Sequence, residues 1–501
     1  MIFEWIEAAH SYESKLSLAS SGIKTPGEVE MQEMKENNTT KAALARRERW
    51  GYYALLASHT PSIFMGTLLI TYLCEKLALQ VAFEADGVTQ CVMRANFVCY
   101  VPFMGLSLLT SNFTLLVSIL MSIVQALVLV PLSGFADLAD HRRYLLLLFT
   151  LLGGTASCLH LIPTSFALYS TTFLSVISAL STCAVSAYAL SLVPAYAKEY
   201  DCLHKNLAAT EISSRGGAIS LVCSTVITSL AYVITGTIPD EVMGIKINLA
   251  LGGAWWLAVG GGSWQLLSAH DGNKLPPGLS ALMFSLKSVG DTMRLSTRLS
   301  NLFLAQLAFF LISEGTNTSG LITIIVASNE LNLPRKVITI ITVATPLGCS
   351  VGIMAMLSLT KKFKLNFKYV MITMSLLTTT VISLNVIGYY TNSFGLKSKW
   401  EVIGAFIASS IFYGPVLVSF RILLAEISPK GRECQLFTFN TLLSTGTTWI
   451  GSAVVMYIIN VTGQIRLAGY LPLVLVLSGV LVLTKIDLNA ARLQAELYAA
   501  S

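Results

Sequence analysis

Charge is what this sequence has least of. Only 12% of its 501 residues are Asp, Glu, Lys or Arg, against about 25% in a soluble domain. The net charge of +6 sits in short stretches between apolar runs rather than in one compact basic region, so nucleic acid is not an expected partner. The nine cysteines show neither zinc nor redox spacing, and most lie in apolar segments as packing residues. There is no His-Glu-x-x-His, no Gly-x-Ser-x-Gly and no Walker sequence. These absences argue against an enzyme or an ATP-driven pump, and no metal or cofactor is expected. The opening MIFEWIEAAH is acidic and too short in apolar length for a signal peptide.

What the chain has is oil. Hydrophobic residues make up 54% of it, with a mean hydropathy of +0.68. Twelve apolar segments of bilayer-spanning length follow one another: Trp50–Leu73, Leu109–Ser133, Tyr144–Ile162, Phe166–Val193, Arg215–Ile234, Ile247–Leu267, Leu302–Ala327, Val337–Leu359, Tyr369–Tyr389, Val402–Leu424, Phe437–Ile459 and Leu467–Thr484. The break at Ser268–Asn301, with Pro276 and Pro277, divides them six and six. The expected organisation is a polar N-terminal tail (1–49), a six-helix half (50–268), a linker (269–299) in which Leu279–Leu295 can form an amphipathic helix, a second six-helix half (300–486) and a C-terminal tail (487–501). An all-α polytopic protein of two pseudo-symmetric six-helix halves has the architecture of the major facilitator superfamily. If the spans alternate, 21 Lys and Arg near span ends fall on the side of both termini and 8 on the other, which puts both termini in the cytosol.

The seventh segment holds the costliest residue. In LFLAQLAFFLISEGTNTSGLITIIVA, Glu314 is the one formal charge, close to the centre. A carboxylate there costs about 2.5–3.5 kcal/mol on insertion scales. Gly315 and Gly320 bracket Thr316, Asn317, Thr318 and Ser319. That pattern predicts an interrupted helix whose freed backbone groups face protein or a watery cavity. Glu314, Asn317 and Thr318, with Gln125 and Asn440 from other spans, are the candidate substrate and proton site. A kinked helix with a structurally paired Glu is the plainer reading. His59, Thr447 and Thr448 are further intramembrane polar groups, and each alone is more often an interhelical hydrogen bond.

Between the second and third spans stands SGFADLADHRRYLL. Gly134, Asp137 and the Arg142–Arg143 pair match the major-facilitator pattern Gly-x-x-Asp followed by two basic residues. The glycine permits close helix approach, the aspartate can pair across the halves, and the arginines anchor at the anionic leaflet. An ordinary basic loop with a capping Asp is the alternative. Arg421, inside the tenth span of GPVLVSFRILLAEISPKGRE, can snorkel to the interface or pair with Glu426 or Asp137. These six residues form the expected cytosolic gate. Gly414-Pro415 is a candidate bend. The glycines of Leu251–Trp256 and Gly260–Ser263 read as close helix packing. Cys91 and Cys99 share the long first non-cytosolic loop, where a disulfide and two free thiols both stay open. Asn460-Val-Thr reads as a glycosylation triplet in a loop on that side.

Taken together, RERWGYYALLASHTPSIFMGTLLITYL (Arg47–Leu73), Ser133–Leu146, SSRGGAIS (Ser213–Ser220), Ser-Glu-Gly-Thr-Asn-Thr at 313–318, Gly414–Glu433 and Lys485–Arg492 resemble the autophagy-related vacuolar efflux family of major facilitators, in order, over roughly residues 46–492. The resemblance implies a vacuolar or lysosomal membrane protein exporting amino acids, neutral ones, to the cytosol after autophagic protein breakdown. That family usually has aspartate before the seventh-span glycine, where this chain has Glu314. The resemblance also matches Arg421 to a tenth-span arginine, and Cys91 and Cys99 to a lumenal cysteine pair. The expected mechanism is alternating access of the two halves in the lipid bilayer, with amino acids and protons as the partners of the central site. A major facilitator for another small solute, or a solute-sensing receptor using its polar N-terminal tail, is the competing expectation.

Overall fold

A bilayer offers no hydrogen-bond partners, so a spanning chain satisfies its own backbone, which long apolar stretches do by forming helices. The computed structural model describes residues 26–500, apart from 85–88, 92–98, 137–140, 163–165, 194–195, 197–204, 268–279, 430–435, several short stretches within 281–298, and 191, 364, 437–438, 441–442 and 445–446. Among the described residues, ten helices are long and apolar enough to cross a membrane: Arg46–Val81, Thr110–Leu129, Ala167–Leu190, Ile212–Thr235, Glu241–Trp264, Ser300–Glu330, Arg335–Thr360, Phe367–Tyr390, Lys399–Ile427 and Arg466–Thr484. The two other expected segments are helices as well. His141–Leu159 begins with a basic cluster that lowers its mean hydropathy, and Trp449–Thr462 is a shorter apolar helix. In chain order these are the first to twelfth spans.

The packing repeats at an offset of six. The third span packs on the sixth as the ninth does on the twelfth, and the second packs on the fourth as the eighth does on the tenth. The halves meet where the fifth span packs on the eighth and the second on the eleventh. Small residues permit the closest approach. A Cβ added at Gly253 in the sixth span would lie 2.7 Å from the Gly154 carbonyl in the third. Gly252, Gly253 and Gly260 serve helix packing, as predicted, whereas Gly261 and Gly262 face open space. Outward-facing Leu127, Phe173, Val226 and Leu481 are large, apolar and exposed, the surface that lipid covers.

One face of the bundle carries Arg142 and Arg143 and is called the basic face below. The other carries a β-hairpin, which the sequence pattern did not announce. Strands β1 (Tyr100–Phe103) and β2 (Leu106–Leu109) pair antiparallel with Phe103 opposite Leu106. Met104 and Gly105 both have positive φ, 52° and 79°, as a two-residue turn matched to strand twist needs. Cys91 and Cys99 are joined as a disulfide beside the hairpin, Cα atoms 5.8 Å apart.

One expected break is absent. The seventh span is an unbroken α-helix over Ser300–Ile325, followed by a π-turn at Val326–Glu330. Gly315 is there for packing: a Cβ would meet Val476 Cγ2 at 2.7 Å and the Pro472 carbonyl at 2.9 Å in the twelfth span. The helix Lys399–Ile427 contains the candidate bend at Gly414-Pro415.

Candidate central site

Glu314 lies inside the bundle, 2% exposed. Its Oε1 accepts the Gly451 backbone N–H at 2.9 Å, and its Oε2 is buried without a protein partner. The irregularity expected in the seventh span is found opposite it, in the eleventh. Thr447 and Thr448 form a turn and the helix begins at Trp449. Ile450 N–H takes the Thr447 carbonyl at 2.9 Å, the acceptor an uninterrupted α-helix would give to Gly451. The freed Gly451 N–H, in the first turn of the helix, points to the carboxyl. A helix start carries partial positive charge and unsatisfied N–H groups, which suit an acid. Gly451 makes the contact sterically possible: a Cβ there would lie 2.4 Å from Glu314 Oε1 and 2.3 Å from Thr318 Oγ1.

Helix geometry then sets what faces inward. Gly315 packs on the twelfth span, and Asn317 lies about 200° further round at 100° per residue. It therefore points away from the twelfth span, between Ser313 and Glu314, and it is exposed. Ser313 Oγ accepts from Tyr413 of the tenth span at 3.1 Å. Two turns along that helix, half-buried Arg421 lies within electrostatic reach of both Tyr413 and Tyr52 of the first span. Glu314, Asn317, Tyr413 and Arg421 thus place polar groups of both signs around the bundle interior.

The other predicted residues sort as follows. Thr318 joins Glu314 at Gly451. Half-buried Gln125 lies one turn from Ser122, whose hydroxyl contacts that of Thr448; Ser118 meets Ser452 at 3.2 Å, so a hydroxyl seam joins the second and eleventh spans beside the acid. Asn440 is buried with Oδ1 unbonded and makes no hydrogen bond to Glu314. His59 is structural: Nδ1–H donates to the Leu55 carbonyl and Nε2 accepts from Ser186 Oγ, each at 3.0 Å.

At the basic face the expected gate is rearranged. Gly134 lies in the last turn of the helix Thr110–Ala136, and Asp137 falls outside the described residues. Arg142 is half-buried. Arg143 is held within its own half, its guanidinium 4.2 Å from the Trp264 ring and donating to the Trp264 carbonyl at 3.4 Å. Glu426 is bound by Arg492 at 3.0 Å rather than by Arg421, which ties the tenth span to the closing helix Leu488–Ala500. The loop position expected for Asn460 is corrected too. The residue lies in the last turn of the eleventh span rather than in a loop, and its Oδ1 accepts from Asn112 of the second span at 2.5 Å.

Sequence reasoning missed the opposite face. Ending the first span at Leu73 excluded Glu75, yet the helix continues to Val81 and Glu75 is 1% exposed. Arg335 is 4% exposed and reaches across the halves, donating to the carbonyls of Thr235 at 2.9 Å and Ile238 at 2.8 Å. Tyr72 donates to the Leu333 carbonyl at 2.9 Å. The apolar run on either side of Glu75-Lys76 was the available signal for the first of these.

Paired six-helix repeats around a polar interior define a major facilitator transporter. The fold matches a D-xylose-proton symporter, with a TM-score of 0.60 at 10% identity over 88% of this chain and 97% of that one. It also matches a bacterial homologue of the iron transporter ferroportin in an outward-facing state, with a TM-score of 0.54 at 12% identity over 88% and 98%. Residues 44–496 match the family described as vacuole effluxer Atg22 like, and the chain belongs to that family. It is 23% identical to autophagy-related protein 22-2 of Emericella nidulans over 84% of this chain and 87% of the relative. Autophagy-related protein 22 of Eremothecium gossypii is 21% identical over 92% and 95%. Family and fold together make it a multi-pass transporter of the vacuolar membrane.

Proposed function

We propose that this transporter moves neutral amino acids from the vacuolar lumen to the cytosol by alternating access, during autophagic protein degradation, with both termini cytosolic. The observation that carries the reading is the buried Glu314 carboxyl, seated on the start of a transmembrane helix with one oxygen unpartnered. An amino-acid ammonium group or a proton would complete it, and Asn317 would bond the rest of a small polar substrate. Arg421, within electrostatic reach of Tyr52 across the halves, carries the basic-face gate together with Arg142 and Asp137.

The hairpin face supports a state shut on that side. Arg335, Tyr72 and the Asn112–Asn460 pair all bond across the halves there. By the distribution of Lys and Arg that side is the lumen, so the interior would open toward the cytosol.

The test is flux in proteoliposomes, wild type against Glu314→Gln, with neutral amino acids and with D-xylose as the competing solute. The variant is expected to lose at least about tenfold in flux, equivalent to about 1.4 kcal/mol, and to lose its pH dependence. Unchanged flux and unchanged pH dependence would remove Glu314 from the mechanism, and xylose transport alone would overturn the cargo.

A further inference from the structure

Glu314 is not the only buried acid. Glu75 sits in the second turn after the π-turn Gly66–Ile70 in the first span, at the hairpin face. Its Oε2 accepts from Thr114 Oγ1 of the second span at 2.6 Å. Its Oε1 is buried with no hydrogen-bond partner. From the other half, the Asn329 side chain in the π-turn of the seventh span is a hydrogen-bonding neighbour of the same carboxyl, and Asn329 Oδ1 is buried without a partner.

Lys76 is a positive charge that acts on the carboxyl, and it is shared. Thr114 and Asn329 are neutral. Lys76, next along the helix, is paired with Glu241 of the sixth span at 3.4 Å and reaches Asn332 at 3.5 Å. Cys74, the other titratable neighbour, is a buried thiol. A buried carboxylate with one oxygen unbonded is unfavourable, and two orphaned acceptors on facing side chains share one remedy. A proton on Oε1, with the Asn329 amide turned to present Oδ1, satisfies both at once; which amide atom faces the acid is set by the hydrogen-bond network.

We propose that Glu75 is a proton-binding site that ties closure of the hairpin face to the pH on that side. Protonated, the carboxyl bridges Thr114 of one half and Asn329 of the other, beside the Tyr72 and Arg335 contacts. Ionised, it needs water, which the closed face excludes, so the halves part there. The proton comes from water on the hairpin side when the face is open and returns to that water when it reopens. No other reactant is required. The inference rests on the alternating-access reading but on no particular cargo.

The experiment measures the distance between spin labels on non-cysteine handles at Met104 and Gln464, exposed positions of opposite halves on that face, in the full-length protein in lipid nanodiscs without substrate. In the wild type the open-to-closed ratio is expected to rise with pH, by up to about tenfold per unit for one linked proton. Glu75→Gln should hold the short distance at every pH. Asn329→Ala, which removes the acceptor, should shift the opening to lower pH, a shift that a purely structural role would not produce. A wild type without pH response, or a Glu75→Gln variant that keeps it, overturns the proposal. Because the readout uses no substrate, its failure leaves the amino-acid reading intact, and a failed flux assay leaves this one intact.

Discussion

At the residue scale, the central site depends on a hydrogen atom where another residue would carry a carbon. Glu314 reaches the Gly451 N–H because position 451 has no side chain. Gly451→Ala is expected to push the carboxyl aside and to destabilise the protein by about 1–3 kcal/mol, the usual range for overpacking a tight site. Thermal unfolding in detergent measures that loss. Flux should fall further than the stability change alone explains, since the displaced carboxyl loses its place in the site. The acid itself was legible from the chain, as an intramembrane charge usually is. Its partner was not, because a backbone N–H leaves no trace in residue type.

Individual helices were placed well by their apolar runs and poorly at their irregular points. The Gly-Thr-Asn-Thr-Ser-Gly stretch suggested a broken seventh span, yet that helix is continuous and Gly315 is used against the twelfth span. The irregular turn falls at Thr447–Thr448, within a run of Ser, Thr and Gly that carried the same signal in weaker surroundings. A glycine in an apolar helix can mark a break or a close contact, and only the neighbouring helix separates the two. The same scale governs Arg466, whose short 3-10 turn opens the twelfth span. Its guanidinium bonds Glu330 at 2.6 Å and the carbonyls of Gly395 and Leu396 at 2.7 and 3.0 Å, drawing three connections together. Arg466→Ala should cost about 1.5–3 kcal/mol for lost hydrogen bonds to a charged group, read as a lower melting temperature with cargo specificity unchanged.

For the whole molecule, the relevant question is how the two halves are held and released. Ser122 and Thr448 bring hydroxyls together across the seam between the second and eleventh spans. The double variant Ser122→Cys/Thr448→Cys is expected to form an oxidation-dependent cross-link that arrests flux, and reductant should restore it. Full flux in the cross-linked protein would show that the halves do not separate along this seam. At the hairpin face the tethers are Arg335, Tyr72 and Asn112. The first two lie at the ends of apolar segments, where a basic or aromatic residue ordinarily reads as an interfacial anchor, so their bridging role stayed hidden.

The amino-acid order by itself determined that the chain spans a membrane, how many times, where each span lies, and that an acid stands in the middle of the seventh. Those properties follow from hydrophobic length and the expense of desolvating charge, which are local sums over residues. The tertiary structure alone decided what each polar group meets: Glu314 a backbone donor, Glu426 the closing helix, Asn460 the second span, Glu75 both halves. Partners are chosen by packing between segments hundreds of residues apart, and inside a bilayer an unpaired polar group gains more from any reachable partner than its own sequence neighbours reveal.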